Sequence, residues 1–353
     1  MARVTVVGGG ISGIACARAL QRSGVEVEVL DRGHRLGGRM ALRETDGHVV
    51  DIGASYFTVS DPGFAAVADD WRDRGLARGW TDTFHLSDGR SLTGTTTGPV
   101  RWAAPAGLRA LVEDLARDLP VRHPVEVDGV ERLPSGGWRV LVAGERAGVA
   151  DAVVLAMPDP QAARLVPDEL TGFWFRSTDG TDGSHGTDGA TGAWPWEAVV
   201  SVSARWERRW WSDVDGVFVN APGGGVVEWV ADDGRRRGDG VPVLVAHSTG
   251  ESARRWLADP DAARRPVLAA AASALGVAAQ VPEPTWCHVQ RWGLARPVRS
   301  RPAPPFALHP DGLGLCGDAW GDRSRVESAW CSGARLGAAL AGALGATPRP
   351  GLD

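Results

Sequence analysis

Lysine is absent from the 353-residue chain, whose 38 basic side chains are all arginine. That excludes Schiff-base chemistry and a lysine general base, because a guanidinium stays protonated in proteins. Cysteine is scarce: Cys16, Cys287, Cys316 and Cys331 form no C-x-x-C pair, and the eight histidines are scattered. Neither a disulfide framework nor a metal site follows from such spacing, and no metal is expected. No apolar run reaches the length of a membrane span. A formal charge of −5 leaves no basic footprint, so nucleic acid is not an expected partner. The opening MARVTVVGGGISGIACARAL has the arginine and apolar stretch of a short signal sequence. Its glycines and the polar helix after them read instead as a functional first strand. A soluble, cytoplasmic protein is expected.

The length admits about two domains. RVTVV is a short apolar strand, GGGISG a turn, ISGIACARALQRSG a helix ending at Gly24, and VEVEVLD a second strand. Together they make a βαβ unit with a right-handed crossover. FHLSDGRSLT reads as a hairpin around Asp88-Gly89, and PAGLRALVEDLARDL as a helix. Residues 121–158 form a run of short strands ending in a buried one, AVVLAM. The low-complexity stretch STDGTDGSHGTDGATG, about 177–192, cannot bury enough surface to offset its ordering entropy and predicts a mobile, protease-sensitive loop. Twelve of the sixteen tryptophans fall between Trp174 and Trp330; composition favours a thick core there over an aromatic-lined cavity. RVESAWCSGARLGAALAGALG predicts a helix with small residues on one face.

Gly8, Gly10 and Gly13 fit G-x-G-x-x-G, leaving a strand and opening a helix, and Asp31 closes the second strand. Gly8 allows the tight turn, Gly10 lets backbone approach a pyrophosphate, and Gly13 lets the helix pack on the strand. The helix start at Ile11 and Ser12 offers free N–H groups and partial positive charge to phosphates. Asp31, with Arg32 beside it, is placed to bond the adenosine ribose. The unit binds a dinucleotide, and by itself it does not separate FAD from NAD.

RLGGRM at 35–40, DIGASYF at 51–57 and GLGLCGDAWGDRSRVESAWCSG at 312–333 resemble motifs of the amine-oxidase-type flavoproteins. The resemblance implies non-covalent FAD, contacted by Gly38, Arg39 and Met40 near its pyrophosphate and by Gly53 and Ala54. At the closing motif it implies that Gly317 and Asp318 meet the ribityl chain. The amides near Glu327, Ser328 and Ala329 would face the flavin pyrimidine, where negative charge grows on reduction. Within that superfamily DIGASYFT, VVLAMPDPQAARLV, VVEWVADDGRRRG, VLVAHSTGESARRWL and HVQRWGLARP resemble the renalase-like branch. Gln290 stands where that branch often has histidine, and the insertion at 177–192 replaces a shorter link.

The resemblance implies a discontinuous Rossmann-type FAD domain (1–70, 96–160 and 297–353) in an α/β fold. A mixed-sheet substrate domain with helices (71–95 and 161–296) completes it. It also implies an oxidase that takes hydride from an isomeric dihydronicotinamide nucleotide onto flavin N5 and reduces O2 to H2O2. The rivals are an amine or cyclic-amine oxidase or desaturase on the same fold, and a flavoprotein without turnover acting as redox sensor. A dihydropyridine needs no base, since its ring nitrogen expels the hydride, which suits a chain without lysine.

Period-two alternation puts Trp286, His288, Gln290 and Trp292 on one face of a strand, and Cys287, Val289 and Arg291 on the other. Gln290 and Trp292 are assigned to the pocket, while Trp286 and His288 read equally as core. His247 is assigned to the pocket, against a buried histidine bonded to backbone. Arg291 and Arg296 suit a substrate phosphate or local acids, and Cys316 reads as strand packing. In DIGASYFT the same alternation groups Ile52, Ala54 and Tyr56, with Asp51, Gly53, Ser55 and Phe57 opposite. Tyr56, the only tyrosine, is placed at the pocket wall because a core strand gains nothing from its hydroxyl.

Overall fold

The computed structural model describes residues 1–170, 195–277, 281–299, 301 and 304–346. The loop expected at about 177–192 lies outside them. Along the chain, β1 (Arg3–Val7), α1 (Ile11–Arg22) and β2 (Glu26–Leu30) precede a hairpin of β3 (Leu42–Thr45) and β4 (His48–Asp51). Then follow α2 (Pro62–Asp73), β5 (Arg78–Ser87), β6 (Leu92–Ala103) and α3 (Leu108–Leu115). The short strands are β7 (Val121–Arg122), β8 (Val127–Arg132), β9 (Trp138–Val142), β10 (Glu145–Ala150) and β11 (Ala152–Leu155), with α4 (Asp159–Ala162) after them. Next come β12 (Trp196–Arg205), β13 (Gly216–Val219), β14 (Val227–Asp232), α5 (Asp233–Arg237), β15 (Val243–Ser248), α6 (Gly250–Arg254) and α7 (Arg264–Ala274). The chain closes with β16 (Trp286–Pro297), β17 (Ala307–Leu308), β18 (Leu313–Leu315) and α8 (Val326–Ala343).

Two compact units result. One comprises Met1–Gly38, Val112–Trp196 and Arg296–Asp353, the other Arg39–Leu111 and Glu197–Ala295.

The first unit is built on a six-stranded sheet in the order β17-β18-β11-β1-β2-β7. β1 pairs in parallel with both β2 and β11, and β11 with β18. Parallel central strands are buried on both faces, which is why β11 is wholly apolar and wholly buried. α1 ends at Ser23, and Gly24 follows at φ 78°, the left-handed turn expected of a glycine after a helix. α8 lies so close to α1 that a β-carbon on Gly333 would stand 1.9 Å from the Ser12 carbonyl oxygen. The small-residue face read in that helix is therefore a backbone contact.

The second unit is built on a seven-stranded mixed sheet, β16-β12-β15-β14-β13-β5-β6. One face carries Val200, Val202, Ala204, Leu244, Ala246, Val230 and Val217, packed with Trp206, Trp211 and the α7 residues Val267, Leu268 and Ala271. Trp206, Trp210 and Trp211 meet edge to face at 5.2–5.5 Å, so these three indoles fill core. The β5–β6 hairpin turns at Asp88, whose Oδ1 accepts from the Arg90 and Ser91 amides at 2.8 and 2.9 Å.

The strand reading of DIGASYFT is corrected. β4 ends at Asp51, and Phe57 makes only an isolated bridge with Trp102. Ile52 and Phe57, expected on opposite faces, are both buried. The cause is tertiary. Ala54 N donates to Arg39 O at 2.9 Å, Ile52 O accepts from Trp292 Nε1 at 2.9 Å, and Ser55 O accepts from Arg236. Long-range partners take the groups that a ladder would have used.

Candidate active site

In the first unit the glycine-rich turn has the tight bend and the helix contact read from its spacing, with space left at Gly10. Gly8 has φ 115°, which a side chain would strain. A β-carbon on Gly13 would stand 1.9 Å from the Gly8 carbonyl oxygen, whereas one on Gly10 would meet nothing within 4 Å. Open space thus lies in front of the α1 N-terminus, where Gly10 provides no side-chain cap and no acid occupies the first turn. The amides of Ile11, Ser12 and Gly13 are the donors such an end leaves for a phosphate. Asp31 accepts from Gly9 N at 2.5 Å and from Gly33 N at 2.7 Å, so its carboxylate also clamps the turn. Arg32 is exposed, 3.9 Å from Glu126.

At the same carboxyl edge of that sheet, just past β18, Gly317 N donates to Ser332 Oγ at 3.0 Å. Asp318 is buried and accepts from Ser324 Oγ. α8 opens after Arg325, again without a side-chain cap, and its first turn holds Glu327 and Ser328. Ala329 N already donates to Arg325 O at 3.1 Å. Asp159 and Arg301 form a buried pair that the sequence reading missed, with the guanidinium 4.4 Å over the Trp320 ring. Two uncapped helix starts and an unfilled approach at Gly10 fit a dinucleotide carrying a flavin.

In the second unit Arg39 NH1 donates to Ala295 O at 2.8 Å, and Met40 is buried. Gly53 has a reason of its own. A β-carbon there would stand 2.0 Å from Arg39 O and 3.2 Å from the Trp292 ring. Its missing side chain therefore admits protein backbone and an indole, where the sequence reading expected a cofactor. Trp292 reaches the carbonyl of Ile52, so indole, Gly53 and Ala54 form one cluster.

The sheet face opposite the α7 core carries the remaining candidates. In register across the sheet, Ser201 pairs with His247, His247 with Trp229, and Trp229 with Phe218. Residues directly opposite share a face, so these side chains form a row. Trp229 Nε1 donates to Ser55 Oγ at 3.0 Å. Tyr56 packs on Trp229, Phe84 and Trp80 with ring centroids 5.7, 5.3 and 6.3 Å apart. Tyr56 and His247 are thus joined through Trp229, a residue that sequence reading did not single out. The expected alternation in β16 is present: Cys287 and Val289 pack on the α7 side, while Trp286 packs with Val50, Val243 and Val245 on the other.

Gln290 sits beside His288, its Oε1 3.4 Å from the ring Nε2, and its amide nitrogen donates to Arg291 O at 3.0 Å. His288 stacks on Trp286 at 6.2 Å and 19°, and Arg43 Nε donates to its Nε2 at 3.3 Å. Burial first, and the Arg43 cation second, hold this imidazole below its usual value. A depressed histidine contributes stability that is complete above its unfolded value of about 6.5 and is lost as pH falls through the folded one. His288→Phe is therefore expected to lose less stability than the parent between neutral and mildly acidic pH. Parallel urea melts at the two pH values measure it, and equal losses would remove His288 from the account.

Asp51, Asp233, Arg236 and Arg237 form a buried ionic cluster that pattern reading also missed. Arg236 NH1 lies 3.0 Å from Asp51 Oδ2, its NH2 group pairs with Asp233, and Arg237 Nε lies 2.7 Å from Asp233 Oδ2. Asp51 Oδ1 accepts from Leu108 N at 2.9 Å. Burial pushes Asp51 upward and Arg236 opposes it. Among the described residues, no group of three or more His, Cys, Asp and Glu is arranged to hold a metal, and no helix is long and apolar enough to cross a membrane.

These features define a dinucleotide-binding protein, and the comparisons agree. Residues 6–71 match the NAD(P)-binding Rossmann-like domain. Residues 77–339, well over half the chain, match the flavin containing amine oxidoreductase family. The chain belongs to that family, and its cofactor is non-covalent FAD. It is 43% identical over 58 residues to carotenoid 3,4-desaturase of Haloarcula japonica, covering 16% of this chain and 12% of that one. It is 52% identical over 54 residues to amine oxidase [flavin-containing] B of Homo sapiens, covering 15% and 10%. The matched stretches thus span only about a tenth of those relatives. Putrescine oxidase bound to putrescine shares the fold, with TM-score 0.66 and 17% identity over 96% of this chain and 98% of that one.

Proposed function

We propose that this chain oxidises an isomeric dihydronicotinamide nucleotide and passes the electrons to O2, giving H2O2. When bound, FAD supplies the hydride acceptor. The amides of Ile11, Ser12 and Gly13, with Asp31, Asp318 and the start of α8, would hold it. The observation that carries the reading is the character of the sheet face around Tyr56, Trp229, His247, Gln290 and Trp292. It offers flat rings and neutral hydrogen-bonding groups. A carboxamide on a planar ring finds in Gln290 both a donor and an acceptor, and the rings exclude water from the donor's face. The chain supplies no lysine, and a dihydropyridine requires no base to release hydride.

Oxidation of a polyamine is the second reading, favoured by the family match and by similarity to a protein named polyamine oxidase 4 of Oryza sativa subsp. japonica, 49% identical over 53 residues (15% of this chain, 11% of that one). Anaerobic mixing separates the readings. Isomeric dihydronicotinamides are expected to bleach the flavin within a turnover, while putrescine and spermidine leave it yellow. Bleaching by the amines alone would overturn the first reading in favour of the second.

A further inference from the structure

Two donors anchored in the protein interior converge on Ser55. The indole of Trp229, 6% exposed, meets Phe84 edge to face at 4.8 Å and lies against Phe218 at 5.1 Å. Its outer edge fills the place of a side chain at Gly216, where a β-carbon would stand 2.3 Å from the ring. Core packing thus fixes its Nε1, which donates to Ser55 Oγ at 3.0 Å. The guanidinium of Arg236, held by Asp51 and Asp233, donates to the carbonyl of the same serine. Ser55 lies past the end of β4, in a stretch whose only strand-like pairing is the bridge between Phe57 and Trp102. Tyr56 stands between the two ties. After it, Phe57 exchanges both backbone bonds with Trp102, at 3.1 and 2.8 Å; before it comes Ser55. The tyrosine ring itself packs on Trp80, Phe84 and Trp229. Apolar contacts of that kind have no preferred direction and let a ring slide, whereas the bonds at Ser55 are directional.

We infer that Ser55 is a positioning residue for Tyr56: its hydroxyl and its carbonyl, gripped by Trp229 and Arg236, set where the tyrosine ring stands on the sheet face. One bond would leave the serine free to pivot. Two bonds, one to side chain and one to backbone, fix its orientation and with it the direction in which the next side chain leaves the chain. The significance for substrate rests on the assignment of Tyr56 to the site proposed above.

Tyr56 is the only tyrosine in the chain, so protein grown with tyrosine isotopically labelled at ring Cζ gives a single NMR resonance from this one ring. The FAD-loaded parent is expected to show one sharp line. Ser55→Ala removes the acceptor of Trp229 and leaves the Arg236 bond to backbone in place. Its line is expected to broaden or split, and kcat/KM for the donor that bleaches the flavin to fall about tenfold, the equivalent of one hydrogen bond of ordinary strength. Ser55→Thr changes the same neighbour but keeps the oxygen, and its line stays single and sharp. Melting temperatures are recorded beside the spectra, because a Trp229 N–H buried without an acceptor lowers stability whatever the tyrosine does. A single sharp line in Ser55→Ala, or a line disturbed equally in Ser55→Thr, overturns the inference and leaves Ser55 as no more than the acceptor for Trp229. If the line broadens in Ser55→Ala while kcat/KM holds at the parent value, Ser55 does position Tyr56, and the placement of Tyr56 at the substrate is what fails.

Discussion

Arg236→Met is expected to cost about 3–5 kcal/mol, the usual penalty for breaking a buried ion pair from one side. Arg236 is 1% exposed. It faces Asp51 and Asp233 at once. Asp233 keeps Arg237 after the substitution, so the damage concentrates on Asp51, left with the Leu108 amide as its hydrogen-bond donor and the more distant Arg237 cation. Burial already pushes Asp51 upward, with Arg236 as the largest opposing influence; without it the carboxyl is held neutral further up the scale. A carboxyl raised in the folded state contributes stability that is present below its unfolded value and lost as pH rises through the folded one. The deficit of Arg236→Met should therefore widen between mildly acidic and neutral pH. Adding Asp51→Asn should recover part of it, because an amide keeps the Leu108 bond without the charge. Urea midpoints of the three proteins at two pH values test this, and a single variant within about 0.5 kcal/mol of the parent would place the cluster outside the stability account. The functional consequence is separable: Ser55 O loses its donor in both the single and the double variant, so a slowing of flavin reduction is expected in both, whatever stability Asp51→Asn restores.

That cluster shows where sequence reading reaches its limit. The glycines at 8, 10 and 13 are legible because their causes are local: a positive φ, an open approach and a helix-strand contact all follow from spacing within six residues. The period-two faces of β16 are legible for the same reason, since strand geometry sets them residue by residue. DIGASYFT has the composition of a strand but not its neighbours. Its backbone groups are claimed by Arg39, Trp292 and Arg236, the last two lying some 180 to 240 residues away, and alternation carries no trace of them. Arg236 itself sits in ADDGRRRG, a run of charge with no apolar pattern to mark an inward face, yet the helix α5 turns it inward. Trp229 and Ser201 enter the candidate site only through strand register, which pairs residues without any sequence signature. The tryptophan-rich stretch divides: Trp206, Trp210 and Trp211 fill core, while Trp229 and Trp292 stand on the face with Tyr56 and Gly53.

Two alanine substitutions in one helix are expected to act in opposite directions. Gly333 and Gly342 both lie in α8, where propensity alone favours alanine over glycine by about 1 kcal/mol. At Gly342, exposed and with nothing within 4 Å of an added β-carbon, that gain is unopposed, and Gly342→Ala should stabilise by about 0.5–1 kcal/mol. At Gly333 the added carbon would stand 1.9 Å from the Ser12 carbonyl oxygen and 2.7 Å from its carbon. Backbone of α1 cannot swing aside as a side chain would, so the two helices must part. Overpacking of this kind costs about 1–3 kcal/mol, enough to reverse the propensity gain. Ser12 belongs to the first turn of α1, whose amides face the open approach at Gly10. Moving that turn should therefore release FAD as well as lower the melting temperature. Gly337→Ala is the control for position, since its β-carbon would press on Cys16 O at 2.6 Å, one turn deeper than the phosphate end. It should cost stability with a smaller loss of flavin. Flavin retained through gel filtration, read beside the melting temperature, distinguishes the three. If Gly333→Ala keeps both its cofactor and its stability, the α1–α8 contact does not set the geometry of the glycine-rich turn.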